Sequence, residues 1–169
     1  TIDEEVGMTG AMYLDSDFLT GKILLNLDSE EDGVFTISCA GGQDLIGTYA
    51  IERVNGQIAE NDAKFAKILL TGLSGGHSGV QIHEPRANAI KLIADLLKAI
   101  AQIEKSQNKK LLEIRGFRAG SKLNAIPREA EVDVIINKQT ADELQQIINS
   151  WQEVVDKQWK HDNVKVIIE

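Results

Sequence analysis

The sequence predicts an α+β layer from residue 44 onward, an antiparallel sheet with two helices on one face in the order β-β-α-β-β-α-β. Three observations predict it. Two long segments repeat apolar residues at helical spacing: Ala89, Ile93, Leu96, Leu97, Ile100 and Ile103 in one, and Leu144, Ile147, Ile148, Trp151 and Val155 in the other. Shorter runs alternate apolar with polar residues, as half-buried strands do: Leu112 and Ile114, then Val132, Val134 and Ile136. Polar or glycine-containing turns separate these segments.

Taken in order, Asp44 to Arg53 and Lys64 to Leu70 are expected as two strands joined through a turn at Asn55-Gly56, with a polar connection longer than a tight hairpin needs. Pro85 suits the first turn of the helix that follows, where a residue needs no amide for a backbone bond. Lys109-Lys110 stop that helix. The strands around Leu112 and Val134 are expected to pair with each other. Thr140-Ala-Asp-Glu143 reads as a capping box, in which the hydroxyl and the carboxylate satisfy amides at the start of the second helix. Val164 to Ile168 closes the pattern as a strand.

Ahead of this layer the character changes. Met8 to Leu19 reads as a short helix, and Lys22 to Leu27 is an apolar run of the length of a buried strand, ending at Asp28. An acidic turn follows, Val34 to Cys39 offers one more strand, and Gly41-Gly42 marks a boundary between residues 1–42 and 43–169.

Composition narrows the function. Lys and Arg number 18 against 26 Asp and Glu in 169 residues, a net charge of −8, so nucleic acid is a poor partner. No apolar stretch approaches the roughly 20 residues that span a bilayer, so no membrane partner is expected. The polar, acidic Thr1 to Glu5 lacks the character of an export signal, which makes a cytoplasmic location the default expectation. Cys39 is the only cysteine, which excludes an internal disulfide and a cysteine-based zinc finger. Three histidines argue against a histidine-rich metal site.

Three places could carry chemistry. Glu4-Glu5 and Asp28 are acids on a turn and at a strand end; adjacent carboxylates diverge, so one can hold a metal while its neighbour takes a proton from water. Against that stands a solvated acidic surface, and zinc wants four ligands that these acids do not complete. The second place is the glycine-rich loop Thr71 to Gly79, with His77 in its middle and glycines that permit close approach of a ligand to the backbone. No Gly-Lys-Ser/Thr closes it as a phosphate loop. Gly72-Leu-Ser74-Gly-Gly76 matches a nucleophile elbow in letters, but an elbow needs a helix at once. A structural turn holding a surface histidine competes evenly with a functional loop. The third is the polar loop Gly120 to Arg128, where Asn124 could donate a side-chain hydrogen bond to a substrate oxygen or merely stabilise a turn. His83, His161 and Cys39 have no clustered partners and read as structural.

Together these segments are more specific than any one alone. Asp3-Glu4-Glu5-Val6-Gly7-Met8-Thr9-Gly10-Ala11, Asn26-Leu27-Asp28-Ser29-Glu30-Glu31, Ser38 to Gly42, Leu73-Ser74-Gly75-Gly76-His77-Ser78-Gly79 and Asn124-Ala125-Ile126-Pro127-Arg128-Glu129-Ala130 follow the order and approximate spacing of a known family. Over essentially its whole length the chain resembles the bacterial aminoacyl-histidine dipeptidases, co-catalytic zinc peptidases related to carnosinase. The resemblance implies that residues 1–42 are part of an α/β zinc-peptidase catalytic domain and that residues 43–169 are a large portion of its lid and dimerisation domain. It implies two zinc ions per active site, with Glu4 as general base, Glu5 a ligand of one zinc and Asp28 a ligand of the other. His77 would bind substrate or stabilise the oxyanion from the lid, and Asn124 would contact substrate.

The family's histidine ligands and its bridging aspartate fall outside this chain, so the resemblance implies a fragment. The parent would hydrolyse Xaa-His and other unblocked dipeptides as a homodimer joined through the lid. The isolated chain is expected to act instead as a non-catalytic substrate-binding and oligomerisation module.

Overall fold

The computed structural model describes residues 3, 7–27, 32–38 and 43–169. Two units compose the chain, Thr1–Ala50 and Ile51–Glu169.

In the first unit a single helical turn, α1 (Thr9–Met12), stands where a helix to Leu19 was expected. Its N-cap residue, Met8, offers no side-chain acceptor, and none of its residues is buried, so neither capping nor packing offsets the cost of nucleating a longer helix. The two expected strands do not form over the described residues of Lys22 to Leu27 and Val34 to Cys39. Ile23, Leu24, Leu25, Leu27, Phe35 and Ile37 are all exposed. Their apolar character signals burial, but a strand also needs a neighbour to take its amides and carbonyls. Cys39 lies outside the described residues.

The second unit is the predicted α+β layer. Four strands, β1 (Ala63–Thr71), β3 (Leu112–Ala119), β5 (Ala130–Asn137) and β6 (Lys165–Ile168), form an antiparallel sheet in the spatial order β3-β5-β1-β6. Two-residue strands β2 (Gly76–His77) and β4 (Ala125–Ile126) pair separately. The helices are α2 (Ala89–Gln107) and α3 (Ala141–Gln158). Register explains the core. Ile68 stands opposite Val132, Leu70 opposite Ala130 and Leu112 opposite Ile136, so one face presents a continuous apolar layer. Leu92, Ile93, Leu96 and Ile100 of α2 and Leu144, Ile148 and Val155 of α3 bury against it. Each such side chain taken fully out of water contributes about 1.5–3 kcal/mol. The other face carries ion pairs beside apolar side chains: Lys67 pairs with Glu131 at 3.0 Å, Arg118 bridges Glu131 and Asp133, and Phe65 is exposed.

Three further sequence expectations are corrected. Asp44 to Arg53 forms no strand, because β5 takes one edge of β1 while β6 and Glu169 occupy the other from Lys67 to Thr71. Helix α2 starts beyond Pro85, at Ala89, because Asn88 Oδ1 accepts from the amides of Ile90 and Lys91 and sets the boundary. The capping box at Thr140 is not formed. A 3₁₀ turn, Lys138–Thr140, precedes α3, the Thr140 hydroxyl donates back to the Asn137 carbonyl, and the Glu143 carboxylate pairs with Lys109 instead.

Glu104 ties the end of α2 to the start of β3. Its carboxylate accepts from the amides of Leu111 (2.8 Å) and Leu112 (3.0 Å) and pairs with Lys110 at 2.7 Å. Partial burial pushes this carboxyl up, but the bonds from Lys110, Leu112 and Leu111 outweigh that and hold it below the usual carboxylate range. A depressed folded pKa gives stability that is present above the unfolded value and lost as pH falls through the folded one. Glu104→Gln keeps an acceptor but loses the charge. It is expected to cost about 1–2 kcal/mol at neutral pH and to flatten the acid side of the stability profile, measured by urea unfolding between neutral and acid pH. An acid limb as steep as the wild-type's would remove Glu104 from this role.

Candidate functional site

The site is built where β1 runs out. Beyond Thr71 the chain leaves the sheet, buries Leu73 in the core, makes β2 and, after an exposed stretch, buries Ala87 fully. The loop between β3 and β5 makes β4, and the two short strands meet with Gly76 opposite Ile126 and His77 opposite Ala125. The Ser78 amide donates to the Asn124 carbonyl at 3.0 Å. His77 and Asn124, far apart in sequence, therefore line one open cavity of about 490 Å³, which they share with Ser121, Lys122 and Arg128.

The state of His77 follows from its neighbours. Its Nδ1 accepts from the amides of Gly79 (3.0 Å) and Val80 (3.2 Å). A ring nitrogen that accepts carries no proton, so this is the neutral imidazole with its proton on Nε2. The ring is thereby a donor at Nε2. Its own backbone is tied to Gln81, whose side-chain oxygen accepts from the His77 amide at 2.9 Å and whose amide donates to the His77 carbonyl at 3.0 Å.

The glycines of this loop answer to the chain's own packing. At Gly72, with φ of 84°, a Cβ would lie 1.8 Å from the Asn163 carbonyl oxygen, so no other residue fits. At Gly76, with φ of 150°, a Cβ would come within 2.9 Å of Gln81 Oε1 and 3.0 Å of Arg86 Cδ. Close approach is real here, and the approaching atoms are the protein's.

Ser74 does not stand as a nucleophile elbow requires. Its hydroxyl donates to Asp162 Oδ1 at 2.5 Å, and after it no helix follows until Ala89. Asp162 also accepts from the Ser74 amide (2.7 Å) and, on Oδ2, from the Ala87 amide (2.9 Å). Partial burial raises its carboxyl, but the two bonds from Ser74, the one from Ala87 and the Arg86 charge together hold it below the usual carboxylate range. The sequence gives no sign of this residue's part, because it sits 88 residues from Ser74. Arg86 was likewise missed; its guanidinium donates to the Gly75 carbonyl at 2.5 Å and pairs with Glu84 at 2.6 Å.

Glu4, Glu5 and Asp28 lie outside the described residues. Among the described residues no group of three or more His, Cys, Asp or Glu side chains could hold a metal ion. Nor is any described helix long and apolar enough to cross a membrane.

Fold and site together define an α+β module that presents a histidine-bearing loop beside an open cavity. Residues 68–163 match the peptidase dimerisation domain, and the chain belongs to that family. It is similar to the cytosol non-specific dipeptidase of Escherichia coli (strain K12), with 36% identity over 155 residues, covering 92% of this chain and 30% of that one. It is also similar to the crystal structure of aminoacylhistidine dipeptidase from Vibrio alginolyticus, at 33% identity and a TM-score of 0.61, covering 100% of this chain and 33% of that one. The chain thus spans about a third of the length of the relatives it matches.

Proposed function

We propose that this chain is the lid portion, with part of the catalytic segment, of a cytoplasmic peptide hydrolase that cleaves unblocked dipeptides, Xaa-His among them. The observation that carries the reading is the convergence of His77 and Asn124 on one cavity through the β2–β4 pairing. The named activity of both relatives supports the substrate class.

In this reading the scissile carbonyl oxygen gains negative charge as water attacks. The neutral His77 donates to it from Nε2, and the Asn124 side-chain amide donates to it or to the substrate. Glu4 takes the proton of the attacking water and returns it to the leaving amine. Glu5 and Asp28 would each supply a ligand to one of two zinc ions, whose chemistry when bound is to acidify that water and polarise the carbonyl. With the remaining ligands expected outside this chain, the chain alone serves as a substrate-binding and oligomerisation module.

A homodimer through this layer accords with the family. A surface suited to it is present: β3 is an edge strand, its Ile114 and Phe117 stay about half exposed, and Ile90 of α2 is exposed as well. An unpaired strand edge beside apolar side chains is a template for a second copy.

The reading is tested by assaying the parent protein on unblocked dipeptides and their N-acetylated forms, with and without a chelator. Chelator-sensitive cleavage of the unblocked substrates is expected. Equal cleavage of both forms, or cleavage that no chelator reduces, would overturn it.

A further inference from the structure

We propose that Asp162 is the positioning residue of the His77 loop, holding both ends of that loop so that the imidazole is presented to the cavity. The placement rests on the proposed role of His77; the geometry of the staple does not. Ser74 stands just before the histidine's glycine turn and Ala87 just before α2, and one carboxylate accepts from both: the Ser74 amide and hydroxyl on Oδ1, at 2.7 and 2.5 Å, and the Ala87 amide on Oδ2, at 2.9 Å. Two donors at one end and one at the other leave the loop a fixed mouth.

The post itself is anchored. Asp162 follows α3 in a turn in which its amide donates to the Trp159 carbonyl at 3.0 Å, and the Trp159 amide donates to Val155 at 2.8 Å. The neighbouring Asn163 amide donates to the Gly72 carbonyl at 3.2 Å, at the point where only glycine fits. Leu73, Ala87 and Val164, beside these contacts, are buried in the core. The loop's own residues supply little such rooting, since His77, Gly79, Val80, Ile82 and His83 are exposed. Within the mouth, the Arg86 bond to the Gly75 carbonyl and the β2–β4 pairing at Gly76 and His77 tie the segment further. A catalytic donor displaced by about 1 Å can lose about a hundredfold in rate, so a staple of this kind bears on chemistry it never touches.

Two arms test the proposal. In the 169-residue chain, ¹⁵N spectra of the His77 ring report the tautomer, with β5 amides as a control for the fold. Asp162→Ala is expected to release His77 from its fixed Nε2–H form into the averaged tautomer signal of a free imidazole, with the β5 amides unmoved. Asp162→Asn is the milder variant. Its oxygen can still serve Ser74, but its amide meets the Ala87 amide donor to donor, so a partial shift of the same signal is expected.

An unchanged His77 signal in the variants that fold would overturn the proposal. So would β5 amides moving along with it in Asp162→Asn, since that is a general loss of structure. In the parent enzyme, Asp162→Asn is expected to lower kcat about tenfold with KM little changed, and to cost nothing further on a His77→Ala background. Full additivity would contradict a role exerted through His77. If His77→Ala alone left kinetics untouched, the catalytic reading would fail while the ring spectra still decided the positioning.

Discussion

His77→Ala in the parent enzyme is expected to lower turnover by about 10²–10³, with metal content and folding intact, because removing one preorganised oxyanion donor typically costs that much. The expectation rests on the ring's state. Two amides hold Nδ1 as an acceptor, so Nε2 carries the proton in the neutral ring and donates without prior protonation. His77→Gln, which keeps an amide donor on a side chain of similar reach, is expected to recover part of the loss. Steady-state kinetics with metal analysis checks both. Unchanged kinetics in His77→Ala would reduce the loop to a structural turn. Mixing inactive Glu4→Gln with inactive His77→Ala subunits then separates two geometries: activity returns if the histidine serves a partner's active site, and stays absent if it serves its own.

Glu4→Gln is expected to lower turnover at least a hundredfold while metal content holds, since it keeps the shape of the side chain and removes only the base. The role of Glu4 is carried over from the resemblance alone, and the residue lies outside the described part of the chain. A drop in kcat with KM little altered would mark a group acting in the transition state. Near-normal turnover would remove Glu4 from the role and reopen the assignment of Glu5 beside it.

The sheet and its helices were legible where burial alone decides structure. Alternation at Val132, Val134 and Ile136 and helical spacing from Ala89 to Ile103 both mark residues that now form the core, because period and face are local properties. What failed depended on partners. Asp44 to Arg53 has a strand's composition, but a strand's existence is settled by a free edge, and β1 offered it little. Thr140 and Glu143 have the spacing of a capping box, yet Asn137 and Lys109 drew their side chains away.

The candidate site divides the same way. His77 and Asn124 could be singled out by their loops, whereas their meeting depends on a two-residue strand pair too short to leave a pattern. Asp162 could not be found at all, since three of its donors come from residues brought near it only by the fold.

The most direct test of the oxyanion role is the affinity of a phosphinic dipeptide analogue, which mimics the tetrahedral transition state, for wild-type and His77→Ala parent enzyme. A donor that acts on the developing charge binds the analogue far more strongly than it binds substrate. The expected result is an inhibition constant raised about 10²–10³-fold in His77→Ala, parallel to the fall in kcat/KM, with KM for the dipeptide little changed. An inhibition constant equal to the wild-type's, while the enzyme stays folded and metal-loaded, would contradict it.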